Sequence, residues 1–333
     1  MKVLITGATG FIGNHVARLC VEQGDAVRVM VMPGEDRSPL AGLDVEFVEG
    51  NLLDPSSLPR CVEGIEGLYH LAAIYAVWTK DPTLQYRVNV DGARAILRAA
   101  MQAGVGKVVF TSSVAALGAP APGMLADEST DFNGWHYAND YVLSKYISEQ
   151  MVRGLVGDGL PATIVRPGFP FGPGDRMPTP TGKLIISILE GKMKYYFEGG
   201  LSAVDVRDVA RGHLLAMAKG RIGDSYILTN KDGNMEQAEL ARLVGRVAGV
   251  ADVATQEVPR WMMGLSARAM EAWANLTGRP PMTTYKTSMY AMQKLYFDPG
   301  KAIAELGMPQ TPIETAIKDA AAWFREHGYV KGA

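Results

Sequence analysis

Short apolar runs alternate with stretches of helical hydrophobic periodicity through the first half of the chain. Helical periodicity occupies residues 11–22, 84–103 and 140–155. Alternation of this kind is typical of a parallel sheet covered by helices on both faces, and it predicts a Rossmann-type doubly wound α/β fold. The apolar runs that we interpret as buried strands are residues 3–6, 26–32, 45–50, 67–73, 107–113 and 162–168.

The pattern changes after Pro167. The segment PGFPFGPGDRMPTPTG (167–182) is dense in proline and glycine, which indicates an ordered loop or crossover. Beyond it we expect one more strand at 224–230 and helices near 182–191, 207–219, 235–248, 260–276 and 312–327. The sequence therefore predicts a larger unit of residues 1–168, rejoined by segments near 203–230, and a smaller, mostly helical lobe comprising 169–202 and 231–333.

Composition excludes several classes of protein. The 333 residues are 47% hydrophobic and 20% charged, as in an ordinary globular chain. A net charge of −2 without a basic run gives no electrostatic footprint for nucleic acid. We expect no signal peptide, no membrane span and a cytoplasmic location. Cys20 and Cys61 lack metal-ligand spacing, so we expect buried free thiols and no metal site.

Three glycines, Gly7, Gly10 and Gly13, fall between the first strand and the first helix. A helix N-terminus that follows a glycine turn can receive a pyrophosphate, because its amides are exposed and a Cβ would block the approach. The spacing is G-x-x-G-x-x-G rather than the commoner G-x-G-x-x-G. The larger unit is thus a candidate dinucleotide-binding domain.

Six motifs are spread over nearly the whole chain: TGATGFIG (6–13), HLAA (70–73), RVNVDGA (87–93), FTSSVAALG (110–118), YVLSK (141–145) and VDVRDVA (204–210). They resemble those of the extended short-chain dehydrogenase/reductase (NAD-dependent epimerase/dehydratase) family. Within it, the chain most resembles hopanoid-associated sugar epimerases and dihydroflavonol-4-reductase-like proteins, notably at residues 166–182 and in the ending AAWFREHGY.

The resemblance implies hydride transfer assisted by Ser113, Tyr141 and Lys145. Tyr141 and Lys145 are four residues apart, so they share a helix face, and the ammonium would stabilise a phenolate.

YAMQK (290–294) repeats the spacing, but it lies in the distal lobe, where we interpret it as structural. Asn89 suits either a helix start or a proton relay. Other implied cofactor residues are Gly7, Thr9, Gly10, Phe11, Ile12, Gly13, Asn51, Leu52, Ala72, Ala73, Thr111, Pro167 and Gly168, in addition to Tyr141 and Lys145.

The choice between NADP and NAD depends on the residues after the second strand, which ends VMVMPGEDRSP. A carboxylate there holds the ribose of NAD, whereas arginine accommodates the 2′-phosphate of NADP. Met32 stands where many relatives carry arginine, and Arg37 could reach a phosphate. Arg28 and Glu35 could be surface charges. The sequence favours NADP and leaves NAD open.

The reaction is less constrained than the cofactor. Val114 and Ala115 replace the acidic residues of sugar dehydratases, and Phe169 replaces the asparagine that contacts the substrate diphosphate in epimerases. We therefore expect an enzyme that reduces a ketone, or oxidises the alcohol, of a hydrophobic or flat small molecule. A sugar epimerase is the second hypothesis, and a non-catalytic NADP-binding sensor is the third. The expected pocket residues are Tyr75, Trp78, Phe169, Phe171 and Met177, with Trp261 farther away.

Oligomeric state follows from the resemblance alone. Relatives pair through two helices, which here correspond to residues 84–103 and 140–155. The sequence therefore predicts a homodimer.

Overall fold

A parallel sheet forms the centre of the computed structural model, which describes residues 1–76 and 78–330. Seven strands within those residues follow the spatial order β10-β6-β5-β4-β1-β2-β3, and each adjacent pair is parallel. Their bounds are β1 Lys2–Thr6, β2 Ala26–Val31, β3 Val45–Glu49, β4 Gly67–His70, β5 Lys107–Thr111, β6 Ala162–Pro167 and β10 Ser225–Leu228. The predicted Rossmann-type fold is confirmed.

Helices cover both faces of this sheet, as parallel crossovers require. One hydrophobic cluster joins α1 and α7 to one face, and a second joins the helices between β3 and β6 to the other. β10 extends the sheet beside β6, so the chain returns to it after leaving at Pro167. The helices on these faces are α1 Phe11–Glu22, α2 Pro59–Val62, α3 Thr83–Tyr86, α4 Ala93–Gln102, α5 Asp140–Gly157 and α7 Val206–Lys219.

The second lobe packs around its own apolar core, which includes Phe171, Leu240 and Phe324. A small sheet of order β11-β9-β7 and a two-stranded pair, β8 and β12, supplement the helices. The division of the chain into two domains at Pro167 remains a prediction. The elements are β7 Phe169–Phe171, β8 Tyr195–Tyr196, β9 Gly200–Asp205, β11 Asn234–Glu236, β12 Gln256–Glu257, α6 Pro180–Leu189, α8 Gln237–Ala248, α9 Arg260–Thr277, α10 Tyr285–Ala291 and α11 Ile313–Glu326.

The helix predicted over 84–103 is interrupted by π-helical geometry at residues 87–92, which joins α3 to α4. The small strands β7, β9 and β11 were not predicted, because runs of three to six residues beside Pro and Gly carry little periodicity. Among the described residues, no helix is both long and apolar enough to cross a membrane.

The glycine turn requires glycine for two separate steric reasons. Gly7 adopts φ +75°, and a Cβ there would lie 2.7 Å from the Ala72 amide nitrogen. A Cβ on Gly13 would lie 2.1 Å from the carbonyl oxygen of Gly7. The first turn of α1 therefore packs directly on the backbone of the loop before it.

We predict that Gly13→Ala destabilises the protein by about 1–3 kcal/mol, because the added methyl overpacks against a backbone oxygen that has little room to move. Gly154→Ala is the matched control, since that helical position has open space around its missing Cβ. The control should gain about 0.5–1 kcal/mol from helix propensity. Urea unfolding of both variants measures the two effects, and equal effects would contradict the packing argument.

Candidate active site

Helix α1 begins directly after the glycine turn, and its N-terminus forms a site suited to a dinucleotide pyrophosphate. Gly10 caps the helix, and the first turn contains no acidic side chain. The amides of Phe11, Ile12 and Gly13 have no carbonyl partner within a helix that begins at residue 11. These exposed donors and the missing Cβ atoms fit the predicted cofactor.

Glu35 occupies the space between the glycine turn and the end of β2. Its carboxylate accepts hydrogen bonds from the Thr9 hydroxyl at 2.5 Å and the Met32 amide at 2.7 Å. The predicted phosphate ligand Arg37 instead pairs with Glu49 at 3.3 Å, and its guanidinium lies 5.0 Å from the Phe47 ring centre. The sequence analysis treated Glu35 as a possible surface charge, although it lies about 20 residues after the turn, where a ribose-binding acid is expected.

The remaining predicted cofactor residues lie at the carboxyl ends of neighbouring strands. Asn51 follows β3, and its side chain accepts the Leu53 amide at 2.9 Å, which shapes the turn that holds Leu52. The other positions, which are Ala72 and Ala73 after β4, Thr111 at the end of β5, and Pro167 and Gly168 at the end of β6, lie along the same edge of the sheet. This edge is where ligands bind to open α/β sheets.

Tyr141 and Lys145 lie in the first turns of α5, which begins where the Asn139 side chain accepts the Val142 amide. The Lys145 ammonium is buried and donates to the carbonyl oxygen of Thr111 at 3.0 Å. Among the described residues this is its one hydrogen-bond acceptor, which leaves two donors for a ligand. The bond fixes α5 against the end of β5.

Thr111 is itself held from the opposite side of the sheet. Its hydroxyl lies 2.9 Å from Nε2 of His213, and Nδ1 of that histidine lies 2.8 Å from the Val209 carbonyl oxygen. Burial lowers the pKa of His213 to about 4, so the ring is neutral at physiological pH. A neutral ring that donates through Nδ1 accepts the Thr111 hydroxyl proton through Nε2.

The two adjacent serines after β5 have different environments. Ser112 is buried and donates to Glu149 at 2.7 Å, and Glu149 also accepts the buried guanidinium of Arg166. Ser113 caps the turn Val114–Ala116 through the Ala115 amide, and its hydroxyl also hydrogen-bonds with Tyr141. The structure therefore brings Ser113, rather than Ser112, to the phenol, and the catalytic role of Ser113 stays a prediction.

Burial dominates the electrostatics of the catalytic pair. It raises the pKa of the Tyr141 phenol above its ordinary value; the nearby Tyr75 adds to the rise, and the hydrogen bond with Ser113 partly offsets it. Burial also lowers the pKa of Lys145 to about 8, while the Glu149 carboxylate opposes that change. At neutral pH the phenol holds its proton and the ammonium is largely charged, which suits a proton donor beside a cation.

Asn89 does not begin a helix, because the helix starts at Thr83 and Asn89 lies in its π-helical part. Its amide accepts the Ile74 N–H at 2.8 Å and donates to the Ile74 carbonyl oxygen at 2.9 Å. It also donates to the Ser144 hydroxyl at 3.0 Å. Asn89 thus links α5 to the loop that carries Tyr75.

The predicted substrate residues separate in space. The Tyr75 ring meets the Tyr141 ring edge to face at 4.6 Å, so it forms a wall of the site. Phe169 is partly buried between the two lobes' clusters, and Met177 is 80% exposed. Phe171 is a correction: it is 1% exposed in the second-lobe core, where no substrate could reach it.

Both tryptophans lie toward α9. The Trp78 indole N–H donates to the Asn275 side chain at 3.4 Å. Trp78 also lines a groove beside α9. Trp261, which the sequence analysis placed farther from the pocket, is 69% exposed on α9 itself. Their positions depend on how α9 packs, which local sequence does not specify.

Tyr290 packs beside the candidate site, although the sequence analysis interpreted residues 290–294 as structural. Its ring centre lies 6.1 Å from that of Tyr137. Burial raises the pKa of its phenol, and the nearby Tyr141 and Tyr75 add to the rise. Helix α10 ends at Ala291, so Lys294 lies outside it. The Lys294 ammonium pairs with the Glu236 carboxylate at 2.7 Å. The second Tyr-x-x-x-Lys is therefore not a helical pair.

These features define the class of protein: a Rossmann-fold oxidoreductase whose candidate site pairs a tyrosine with a buried lysine. The NAD dependent epimerase/dehydratase family matches residues 3–229, and the chain belongs to that family. The expected resemblance is thereby confirmed. Between residues 1 and 330, with Val77 left aside, no group of three or more His, Cys, Asp or Glu side chains could hold a metal ion.

Two curated relatives extend over almost the whole chain. A Synechocystis protein provisionally named dihydroflavonol 4-reductase is 39% identical over 98% of this chain and 95% of its own length. Sterol demethylase protein B of Methylococcus capsulatus is 32% identical over 99% of this chain and 100% of its own. Among solved structures, the crystal structure of gox2253 is 41% identical, with a TM-score of 0.88 over 99% of both chains.

We predict that Lys145→Met stabilises the cofactor-free protein at pH 7 by about 1–3 kcal/mol, because it removes a buried charge that folding desolvates. The folded pKa of Lys145, about 8, lies below the ordinary 10.5, so the unfolded chain binds the proton more tightly. The free energy of unfolding of the wild type should therefore rise between about pH 8 and pH 10.5. Its difference from that of Lys145→Met becomes smaller over this range.

Urea unfolding at pH 7 and pH 10 measures this change. Lys294→Met is the matched control, because that side chain is half exposed and should change stability by less than about 1 kcal/mol at either pH. A gap that stays constant between pH 7 and pH 10 would contradict the proposed burial cost of Lys145.

Proposed function

We propose that this protein is an NAD-dependent reductase or dehydrogenase that acts on the ketone or alcohol of a hydrophobic or flat small molecule. One observation carries the proposal: the protonated Tyr141 phenol, bonded to Ser113, faces the aromatic ring of Tyr75 at 4.6 Å. A carbonyl oxygen between Ser113 and Tyr141 would be polarised by two hydroxyl groups, with an apolar wall beside its carbon.

Each polar residue then has a distinct role. The Ser113 hydroxyl orients the substrate oxygen, and the Tyr141 phenol donates its proton to that oxygen as the carbonyl is reduced. The Lys145 ammonium stabilises the phenolate that remains, and its two free donors hold the ribose hydroxyls of the dinucleotide. The bound nicotinamide supplies or accepts the hydride.

The surroundings of the phenol favour an apolar substrate. Tyr75 and Tyr290 contribute aromatic surface, and Phe169 stands where a diphosphate-binding asparagine occurs in epimerases. The names of the two curated relatives, a dihydroflavonol 4-reductase and a sterol demethylase protein B, also denote flat, largely apolar molecules. Epimerisation of a nucleotide sugar is the second candidate, since the family includes such enzymes. A non-catalytic sensor is third.

The placement of Glu35 favours NAD over the NADP that the sequence alone suggested. Its carboxylate, held by Thr9 and Met32, would accept the 2′-hydroxyl of a ribose at the end of β2. A 2′-phosphate would meet a like charge there, while Arg37 is engaged with Glu49 and Phe47.

We retain the homodimer and the cytoplasmic location as proposals. α5 leaves Ile147 40% exposed on a helix that pairs protomers in the family that this chain resembles. A small-molecule substrate fits the family.

We predict that Tyr141→Phe lowers kcat for ketone reduction by about 10²–10⁴, because the substrate oxygen loses its proton donor. Binding of NADH, followed by fluorescence, should change little. Tyr146→Phe is the control on the same helix, since that ring stacks on Phe132 and lies outside the site. The assay is NADH consumption with a panel of apolar ketones.

The same assay separates the candidate reactions. Net NADH consumption supports the reductase. Conversion of a nucleotide sugar without net loss of cofactor would instead identify an epimerase, and dinucleotide binding with neither reaction would leave the sensor. Undiminished turnover by Tyr141→Phe would refute the proposed role of Tyr141 in both candidate reactions, ketone reduction and epimerisation.

For cofactor choice, we predict that Glu35→Ser improves the ratio of NADPH to NADH in kcat/KM by about tenfold or more, because it removes a like charge from the 2′-phosphate. Glu22→Ser, at the exposed end of α1, removes the same charge elsewhere and should leave the ratio unchanged. A wild-type preference for NADPH would overturn this assignment.

A further inference from the structure

Helix α9, residues Arg260–Thr277, presents an apolar face to solvent. The side that packs on the protein includes Gly264, Ala267 and Ala274. The opposite side, at a period of 3.6 residues, is formed by Met262, Leu265, Ala269, Ala272, Trp273 and Leu276, with Trp261 at its edge. We call these seven residues the α9 face.

The α9 face is strongly exposed in the part of the chain that the structure describes. Leu265 is 62% exposed, Trp273 64% and Leu276 83%. An ordinary surface helix places such residues inward and polar residues outward. Met282, 90% exposed, adds to the surface beyond the end of the helix, beside a shallow cavity of about 470 Å³ at Trp273 and Pro281. An apolar patch of this kind marks an interaction surface.

Basic residues accompany the α9 face. Residues 260–286 contain four basic side chains, Arg260, Arg268, Arg279 and Lys286, and one acidic side chain, Glu271. Glu271 turns inward and accepts the Tyr285 amide at 3.1 Å. The whole chain carries a formal charge of −2, so this segment is a local concentration of positive charge.

We propose that the α9 face docks on an anionic phospholipid bilayer. The charge argument selects this occupant. Arg268 and Arg279 border the apolar face and attract anionic headgroups, while the tryptophans and leucines enter the headgroup–acyl boundary. Tryptophan is favoured at that depth because its ring is apolar and its N–H is polar. The helix would lie in the membrane plane without crossing it.

The position of α9 gives this docking a consequence for substrate access. A groove of about 650 Å³ separates α9 from the loop that carries Trp78 and from the start of α5. Asn275 and Ala274 of α9 line one side, and Asp140, the neighbour of Tyr141, lines the other. Because α9 forms one wall of this groove, docking of the α9 face would hold the groove close to the lipid, from which an apolar substrate could enter. This second step rests on the proposed function, whereas the docking does not.

The test is flotation of the full-length protein with vesicles. We expect the protein to float with vesicles of phosphatidylcholine and phosphatidylglycerol, and to float much less with phosphatidylcholine alone. Leu265→Glu/Trp273→Glu should abolish flotation. Arg268→Gln/Arg279→Gln should weaken it by about fivefold for each charge at physiological salt.

Met124→Glu/Ile222→Glu is the matched control. It places two carboxylates at positions that are 63% and 57% exposed, away from α9, and it should float like the wild type. Leu276→Glu, at the most exposed position of the α9 face, provides a second variant whose folding is not at risk. Melting curves and turnover of a water-soluble ketone should be the same for these variants as for the wild type. A failure of the reductase assignment is therefore distinguishable from a failure of docking.

Three results would overturn the proposal. One is a wild-type protein that remains unbound with both vesicle types. Another is flotation of Leu265→Glu/Trp273→Glu or Leu276→Glu at the wild-type level. The third is a fall in molar mass on light scattering when the α9 face carries glutamates in the absence of vesicles, which would assign the surface to a second copy of this chain.

Discussion

The hydrogen bond from the buried Lys145 ammonium to the Thr111 carbonyl oxygen is the contact on which the site depends. It joins α5 to the end of β5, and therefore sets Tyr141, one turn earlier, over Ser113. Thr111 has no freedom to move, because its hydroxyl is bonded to His213 on the other face of the sheet. Burial of the ammonium costs stability, and the same burial strengthens its attraction for a phenolate.

A second set of contacts supports this arrangement from below. Glu149 lies one turn after Lys145 and is buried with Arg166, while Ser112 donates to the same carboxylate. A buried ion pair of this kind is weak evidence for stability, because desolvation offsets much of the attraction. Its effect here is positional: it binds α5 to β6 and to the serine strand, the three elements that meet at the candidate active site.

The aromatic side of the site comes from segments that are far apart in sequence. Tyr75 follows β4, and Tyr290 belongs to α10, yet both lie next to Tyr141. α10 packs on α9, so the same hairpin that contributes Tyr290 to the site presents Trp273 and Leu276 to solvent. The apolar character of the pocket and that of the outer surface are thus properties of one helical pair.

Local pattern determined much of this protein. The alternation of β-rich runs and helical periodicity predicted the parallel sheet, because a strand buried on both faces must be apolar throughout. The glycine spacing, Ser113 and the Tyr141–Lys145 pair were also readable, since each depends on neighbours within one element or one turn. Their assignment as site residues remains a proposal, and so does the domain boundary.

Only the tertiary structure decided which of several similar residues face the site. Glu35 and Arg37 are equivalent in sequence terms, but the turn after β2 aims Glu35 at Thr9 and Arg37 at Glu49. Phe171 resembled a pocket residue until packing placed it in a core, and Trp261 lies on an exposed helix face. Periodicity shows that a helix has an apolar face, whereas what that face meets depends on long-range packing, which no local pattern encodes.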